Sequence, residues 1–259
     1  MSIKNWFLQT GGDSRLKRFL NGFLVAALLA GFLVLTMLRL HARWDFSHLW
    51  DYRFRLGQGL LMTAAFSILS MLCSLLIGFA AAAGSRSRVL AVRYLSRTYV
   101  QVIRGTPLLV QIYLFFYIIG QAWGVDNRLL AGVLILSIFE GAYISEIIRG
   151  GLDSIEASQL EIARAVGLTR RQTTRLVILP QLLRRILPAL AGQFASIIKD
   201  SSLLSVIAVI ELTQATKEIA ATTFAFFVDY LLLGALYFAL TFPVSMLTRS
   251  LERRFAYEN

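Results

Sequence analysis

The chain has 259 residues, of which 57% are hydrophobic and only 16% charged, and its 26 Lys and Arg against 15 Asp and Glu leave a net charge of +11. Soluble domains carry about 45–50% apolar and about 25% charged residues, and a globule of this size has too little interior to hide so much apolar surface. The composition excludes a disordered chain, a collagen-like chain and a disulfide scaffold, and it points to an integral membrane protein.

A helix of about 20 apolar residues crosses a bilayer core of about 30 Å, and six runs meet that need. The first, 19–38, is too long for a cleaved signal peptide, and no small-residue cleavage site follows before Arg39. The second, 57–83, is the longest and contains the single cysteine, Cys73, which can build neither a disulfide framework nor a thiolate metal site. The two histidines, His41 and His48, lie outside the runs and are expected to be exposed loop residues rather than ligands.

The third run, 100–123, is interrupted by Arg104 and Pro107. Thr106-Pro107 reads as an N-cap followed by a proline in the first helical position, so a gate or a helix break is expected at Arg104, Thr106 and Pro107, with Arg104 either capping the gate or sitting among headgroups. Gln111 follows as a candidate pathway residue. The fourth run, 129–148, holds Glu140 with Tyr143 on the same helical face. A carboxyl in a bilayer is a functional candidate by default, and Glu140 is expected to face a cavity, the alternative being a pair with Lys199. Glu146 and Arg149 continue that face and are expected to pair with each other.

Between runs four and five lies the longest connection, 149–185. Ser158-Gln159-Leu160-Glu161 and Thr169-Arg170-Arg171-Gln172 both fit a capping box. Gly167 suits the left-handed end of the first short helix, and Pro180 is expected to stop the second. Such a pair either docks into a groove on another protein or folds back on its own membrane helices.

The fifth run, 186–210, contains Lys199-Asp200-Ser201-Ser202. Three successive good N-cap residues predict a break and a new half-helix whose amides face an anion; the alternative is a continuous helix with Ser201 and Ser202 bonded back to carbonyls. In the sixth run, 222–247, Asp229 is expected to face a partner subunit or the pathway, and Pro243 marks a kink. Gly78 with residues 80–83, and Gly234 with Ala235, suit close helix packing or dimerisation.

Cationic side chains are sorted by side. With the N-terminus inside, cytoplasmic segments hold nineteen Lys and Arg and external ones six, Lys199 being in the membrane. That bias puts both termini in the cytoplasm. The basic residues cluster between apolar runs and form no basic face with interleaved aromatics, which excludes a nucleic-acid partner.

Glu161-Ile162-Ala163, then Gly167, then Ile178-Leu179-Pro180 resembles the EAA motif of ABC-transporter permeases, with Ile162 where that family usually has Ala. Residues 104–111, Ala142-Tyr143 with Glu146 and Arg149-Gly150-Gly151, and residues 199–205 resemble the polar amino acid branch more narrowly. The resemblance covers about residues 57–254. It implies an all-α polytopic membrane protein of the bacterial inner membrane: a five-helix type I importer permease core at 57–254 with a coupling loop at 150–181. Residues 1–56 would add an N-terminal transmembrane helix and an external loop, and 255–259 a cytoplasmic tail.

The same resemblance implies a dimer with an identical or homologous permease, an ABC ATPase dimer, an extracytoplasmic solute-binding protein, membrane lipid and an amino acid substrate. Glu161, Ala163, Gly167, Leu168, Ile178 and Pro180 would meet the ATPase. Substrate would pass Glu140, Tyr143, Lys199, Asp200, Ser201, Ser202 and Gln111. In the family the position of Glu140 is more often small or uncharged, which favours a cationic substrate. The chain has no G-x-x-x-x-G-K-[ST] phosphate loop, so it is expected to be no enzyme, with no catalytic residue, metal or cofactor of its own and with ATP and Mg on the partner ATPase. Two rival readings remain: a self-sufficient secondary transporter or channel using Glu140, Lys199 and Asp200, and an intramembrane enzyme, for which no nucleophile–His pair or HExxH is present.

Overall fold

The computed structural model describes residues 15–40 and 45–256. Lys4, His41, Arg43 and residues 257–259 of the tail lie outside the described residues. The chain divides into two compact units, Met1–Phe46 and Ser47–Asn259.

Among the described residues the first unit contains one helix, α1 (Arg15–Leu40). Its apolar stretch Phe19–Thr36 is long enough to cross a membrane, and side chains such as Phe19, Phe32 and Leu38 are exposed. A helix that is apolar all round has no polar face to turn to water and so belongs in lipid.

The second unit begins with the short α2 (Ser47–Asp51) and the 33-residue α3 (Arg53–Ser85). There follow α4 (Leu90–Arg104), α5 (Leu108–Tyr113, continued as a π-helix over Leu114–Gly120) and α6 (Arg128–Asp153). The connection holds α7 (Ala157–Ala165) and α8 (Arg170–Gln172). A π-helical stretch, Thr173–Ile178, then leads into α9 (Leu179–Asp200), and a 3-10 turn, Ser201–Ile207, closes it. The chain finishes with α10 (Leu212–Thr223) and α11 (Phe226–Ala256). Among the described residues there is no strand, in keeping with an all-α chain. Besides α1, the helices α3, α6 and α11 are long and apolar enough to span a bilayer.

The central seam is α3 against α6. A Cβ placed on Gly78 would stand 2.6 Å from Ile144 Cγ2, and one on Gly141 would stand 2.8 Å from Ile77 Cγ2. Each glycine thus receives an isoleucine of the other helix, the close approach that small residues permit between membrane helices. Gly234, by contrast, has open space beside it. Ser70 and Ser137 lie buried in the same seam, and Ser137 Oγ donates to the Val133 carbonyl 2.6 Å away. Packing then spreads into three apolar clusters. Phe66, Ile112, Leu136 and Leu204 form the first, Ile144, Ile148, Leu182 and Ile186 the second, and Leu56, Leu212 and Ile219 the third.

The third apolar run is not one straight span. α4 returns antiparallel along α3, with Ser96 against Gly84 and Tyr99 beside Ile77 and Gly141, and Tyr99 Oη donates to the Ile138 carbonyl at 2.6 Å. It then turns by 111° into α5. The break falls where Arg104, Thr106 and Pro107 were expected to make it, but the cap differs. Pro107 itself occupies the N-cap, extended at φ −63° and ψ 139°. Thr106 donates from Oγ1 back to the Val102 carbonyl at 3.0 Å. A proline has no side-chain acceptor to cap with, and the threonine is occupied by the helix it leaves.

Three further expectations are corrected. α7 starts at Ala157 with Glu156 as its N-cap, and Ser158 Oγ donates to Glu156 Oε2 at 3.0 Å, so the first capping box is absent. Pro180 does not stop a helix: it lies in the first turn of α9, where its missing N–H costs little. The preceding π-turn carries the chain helically from Arg170 to Asp200. Residues 199–202 form no new half-helix. α9 tightens into the 3-10 turn, the Ser201 amide bonds back to Ile197 and Lys199 carbonyls, and Ser201 Oγ donates to the Ile198 carbonyl at 2.8 Å. The Ser201 hydroxyl thus bonds back into the preceding turn, as the continuous alternative had it, instead of capping a following one.

Candidate functional site

The carboxyl of Glu140 is fully buried between α6 and α9, where Gln193 donates to its Oε2 and the Asp200 carboxyl faces it. Its Oε1 has no hydrogen-bond partner. The partner is therefore Gln193, not Lys199, which is exposed. A buried carboxyl with an idle oxygen is costly: a polar atom left without a bond forfeits about 1–3 kcal/mol. Gln193 carried no sequence signal, since a glutamine in an apolar run reads as neutral filler.

The other proposed pathway residues are distributed differently. Tyr143 packs on Phe139 with ring centroids 5.1 Å apart and takes the Arg104 guanidinium over its face at 5.2 Å. Gln111 is buried and its Nε2 donates to the Ile103 carbonyl (2.7 Å) and to Thr106 Oγ1 (2.7 Å), so it fastens the α4–α5 corner. Ser201 is buried and Ser202 half-buried. Of this set, Glu140 and Asp200 come together, with the Lys199 charge acting on Asp200 from the exposed side; Tyr143 and Gln111 do not join them.

A cavity of about 1000 Å³ opens between α4 and α6. Its lining includes Arg104, Glu146 and Arg149 but neither Glu140 nor residues 199–202. Along its wall runs a chain of ion pairs. Arg104 lies 3.1 Å from Glu146, which Arg149 grips through two bonds of 2.8 Å; Arg149 also bonds Asp153 at 2.7 Å, and Arg86 at the end of α3 meets the other oxygen of Asp153. The Glu146–Arg149 pair expected from their spacing is present, and Arg104 joins it. Exposed pairs singly contribute about 0–1 kcal/mol, but this chain ties α6 to α4 at one point and to the α3 end at another, with Arg149 joining the two carboxylates between them.

Two polar constellations on the opposite side escaped sequence reading. Glu211 is buried as the N-cap of α10, accepting from the amides of Thr213 (2.7 Å) and Gln214 (2.8 Å) and from Tyr237 Oη (2.7 Å). Glutamate is not among the usual caps, so nothing flagged it. Asp229 is likewise buried, bonded to His48 Nε2 at 2.8 Å and to Thr223 Oγ1 at 3.0 Å. Hence His48 is no free loop residue, and Asp229 is turned into the chain's own interior, where it ties α2 to the start of α11.

The connection after α6 is built as a stiff elbow. Gly167 has φ +79°, its amide bonds the Arg164 carbonyl and that of Leu168 bonds Ala163, both at 3.0 Å, the paired closure that a left-handed glycine allows. The second capping box is present: Thr169 accepts from the Gln172 amide at 3.3 Å and Gln172 Oε1 accepts from the Thr169 amide at 2.8 Å. Ala163 is the one buried residue of α7. Glu161 and Pro180 are exposed, Leu168 and Ile178 half-buried, and Ile162 and Val166 expose 59% and 70% of their surface. Among the described residues no group of three His, Cys, Asp or Glu could hold a metal ion.

The family described as binding-protein-dependent transport system inner membrane component matches residues 74–257. The chain is 36% identical to the glutamine transport system permease protein GlnP of Escherichia coli over 82% of this chain and 98% of that one. It is 35% identical to the L-cystine transport system permease protein TcyB of Bacillus subtilis over 77% of this chain and 86% of that one. Among solved structures, an amino acid ABC transporter crystallised with histidines matches with a TM-score of 0.76 at 35% identity, covering 82% of this chain and 99% of that one. The inward-facing MetNI methionine transporter, 18% identical with a TM-score of 0.62, shares the fold. With the family matched over most of its length, the chain belongs to the inner membrane permease components of binding-protein-dependent ABC importers.

Proposed function

We propose that this chain is the membrane-spanning subunit of an ATP-driven importer of polar amino acids, coupled to separate ATPase subunits through residues 158–180. The observation that carries the coupling role is α7. It is held at a fixed angle by Gly167 and rooted by Ala163, and it presents Ile162 and Val166 to solvent. An exposed apolar pair on a rigid stub is the pattern of a helix that docks in a groove. Glu161, Leu168, Ile178 and Pro180 complete that surface.

In this reading the chain is not an enzyme. ATP and Mg are bound by the ATPase pair, a second permease chain completes the pathway, and an extracytoplasmic binding protein delivers substrate. Both termini lie in the cytoplasm. Closure of the ATPases on ATP draws the α7 elbows together and turns the pathway outward; hydrolysis resets it. Import in one direction needs the two states to differ in affinity for substrate. Glu140, with Asp200 and Gln193, supplies that difference for a substrate bearing positive charge, because two carboxyls face one another there and Gln193 donates to only one oxygen of Glu140. Tyr143, Lys199, Ser201 and Ser202 line the approach as the helices separate.

The test is purification of the tagged full chain from its host with whatever accompanies it. Recovery of an ATPase with the wild type and its loss with Gly167→Asp, the helical spectrum being unchanged, is the expected result. Recovery of the chain alone, transporting under an ion gradient in liposomes, overturns the proposal.

A further inference from the structure

The cavity between α4 and α6 has a feature that import of an amino acid does not require. Arg93, Arg97, Gln101 and Arg104 follow one another at four, four and three residues along α4 and all line it. That spacing sets them in a single stripe about 16 Å long. Sorting of cations to the cytoplasmic side accounts for arginines in this part of the chain, but it does not make them converge on one concave space. Arg88, in the same segment, is not part of the lining.

The charges in the cavity do not balance. Glu146 and Asp153 are its only carboxylates, and Arg86, Arg104 and Arg149 already hold them. Arg93 spends its guanidinium on a neutral acceptor, the Ser87 carbonyl, at 2.7 and 2.9 Å. Arg97 makes no hydrogen bond or ion pair with any described residue. Two cations are thus left without a counter-charge beside a space of about 1000 Å³. Of the exposed apolar residues of α4, Tyr94 borders the basic stripe, while Leu95 and Val102 lie round the far side of the helix.

We propose that this cavity binds a phosphate group, with Arg97 as its principal ligand and Arg93 as its second. Arginine suits the role because its planar fork meets two phosphate oxygens at once. The group has two sources: the headgroup of an anionic phospholipid whose chains pass Tyr94, the exposed residue that borders the stripe, or free phosphate from the cytoplasm. This inference is independent of what the importer carries.

The experiment uses the full chain in detergent. Native mass spectrometry with equimolar phosphatidylglycerol and phosphatidylcholine reads the lipid source, and the melting temperature with and without millimolar inorganic phosphate reads the free one. A preference of about threefold or more for phosphatidylglycerol, lost in Arg97→Gln and kept in Arg88→Gln, establishes the lipid headgroup. No lipid preference, with phosphate raising the melting temperature of the wild type but not of Arg97→Gln, establishes free phosphate. Neither effect in the wild type, or the same effect in Arg97→Gln as in the wild type, overturns the proposal. Arg97 has no hydrogen bond or ion pair to lose, so Arg97→Gln is expected to fold, which its helical spectrum checks.

Discussion

Gln111 reaches eight residues back along the chain to donate to the main-chain oxygen of Ile103, 2.7 Å away. Its Nε2 also meets Thr106 Oγ1 at 2.7 Å, so one side chain closes the 111° corner between α4 and α5. Gln111→Leu keeps the volume and removes both bonds, leaving a carbonyl of the last α4 turn unpaired. The expected cost is about 1–3 kcal/mol, read as a lower melting temperature in detergent. An unchanged melting temperature removes the corner-fastening role.

The α3–α6 seam makes opposite forecasts for two glycines. Gly141→Ala puts a Cβ 2.8 Å from Ile77 Cγ2 and 3.0 Å from Tyr99 Oη, and overpacking of this kind costs about 1–3 kcal/mol. Gly234→Ala meets nothing within 4 Å and lies inside α11, where alanine is favoured over glycine by about 0.5–1 kcal/mol. Thermal melts of the two variants are expected to move in opposite directions.

Glu211 holds the start of α10 through two amides and receives the Tyr237 hydroxyl. Glu211→Leu strands those donors in the interior, and a loss of about 2–5 kcal/mol follows. Tyr237→Phe removes one bond, for about 0.5–1.5 kcal/mol. Equal melting temperatures for the two variants contradict this order.

Glu140→Gln tests the substrate reading. The substitution keeps the shape and the bond partner Gln193 while removing the carboxyl. Uptake of cationic amino acids in reconstituted vesicles is expected to fall tenfold or so, about 1.4 kcal/mol, with neutral amino acids less affected. Equal losses on both classes discard the preference for positive charge.

The helical runs, the corner at Arg104–Pro107 and the elbow at Gly167 were legible because each rests on a local rule: apolar length, proline geometry, left-handed glycine. Partners across the bundle were not. Glu140 was visible as an expensive carboxyl, but nothing local points from position 140 to Gln193, fifty-three residues on. His48 and Asp229 are 181 residues apart, and each alone reads as a loop residue and a stray acid. Pro180 misled for the converse reason: its local rule, breaking a helix, does not hold in the first turn of one, and Pro180 stands at the start of α9, where the π-helical stretch hands over.

That π-helical stretch has a consequence for how the chain tolerates changes in length. An i to i+5 ring holds one residue more than an i to i+4 ring, so residues 173–178 are an α-helix carrying a surplus residue. Deleting one residue there returns the stretch to plain α-helix and leaves Leu182, Ile186 and Leu190 turned toward the cluster they share with Ile144 and Ile148. Deleting one inside α9 ahead of those three rotates them by about 100° and pulls them out of it. Between Thr169 and Leu182, the chain can lose a residue at one place and keep its register.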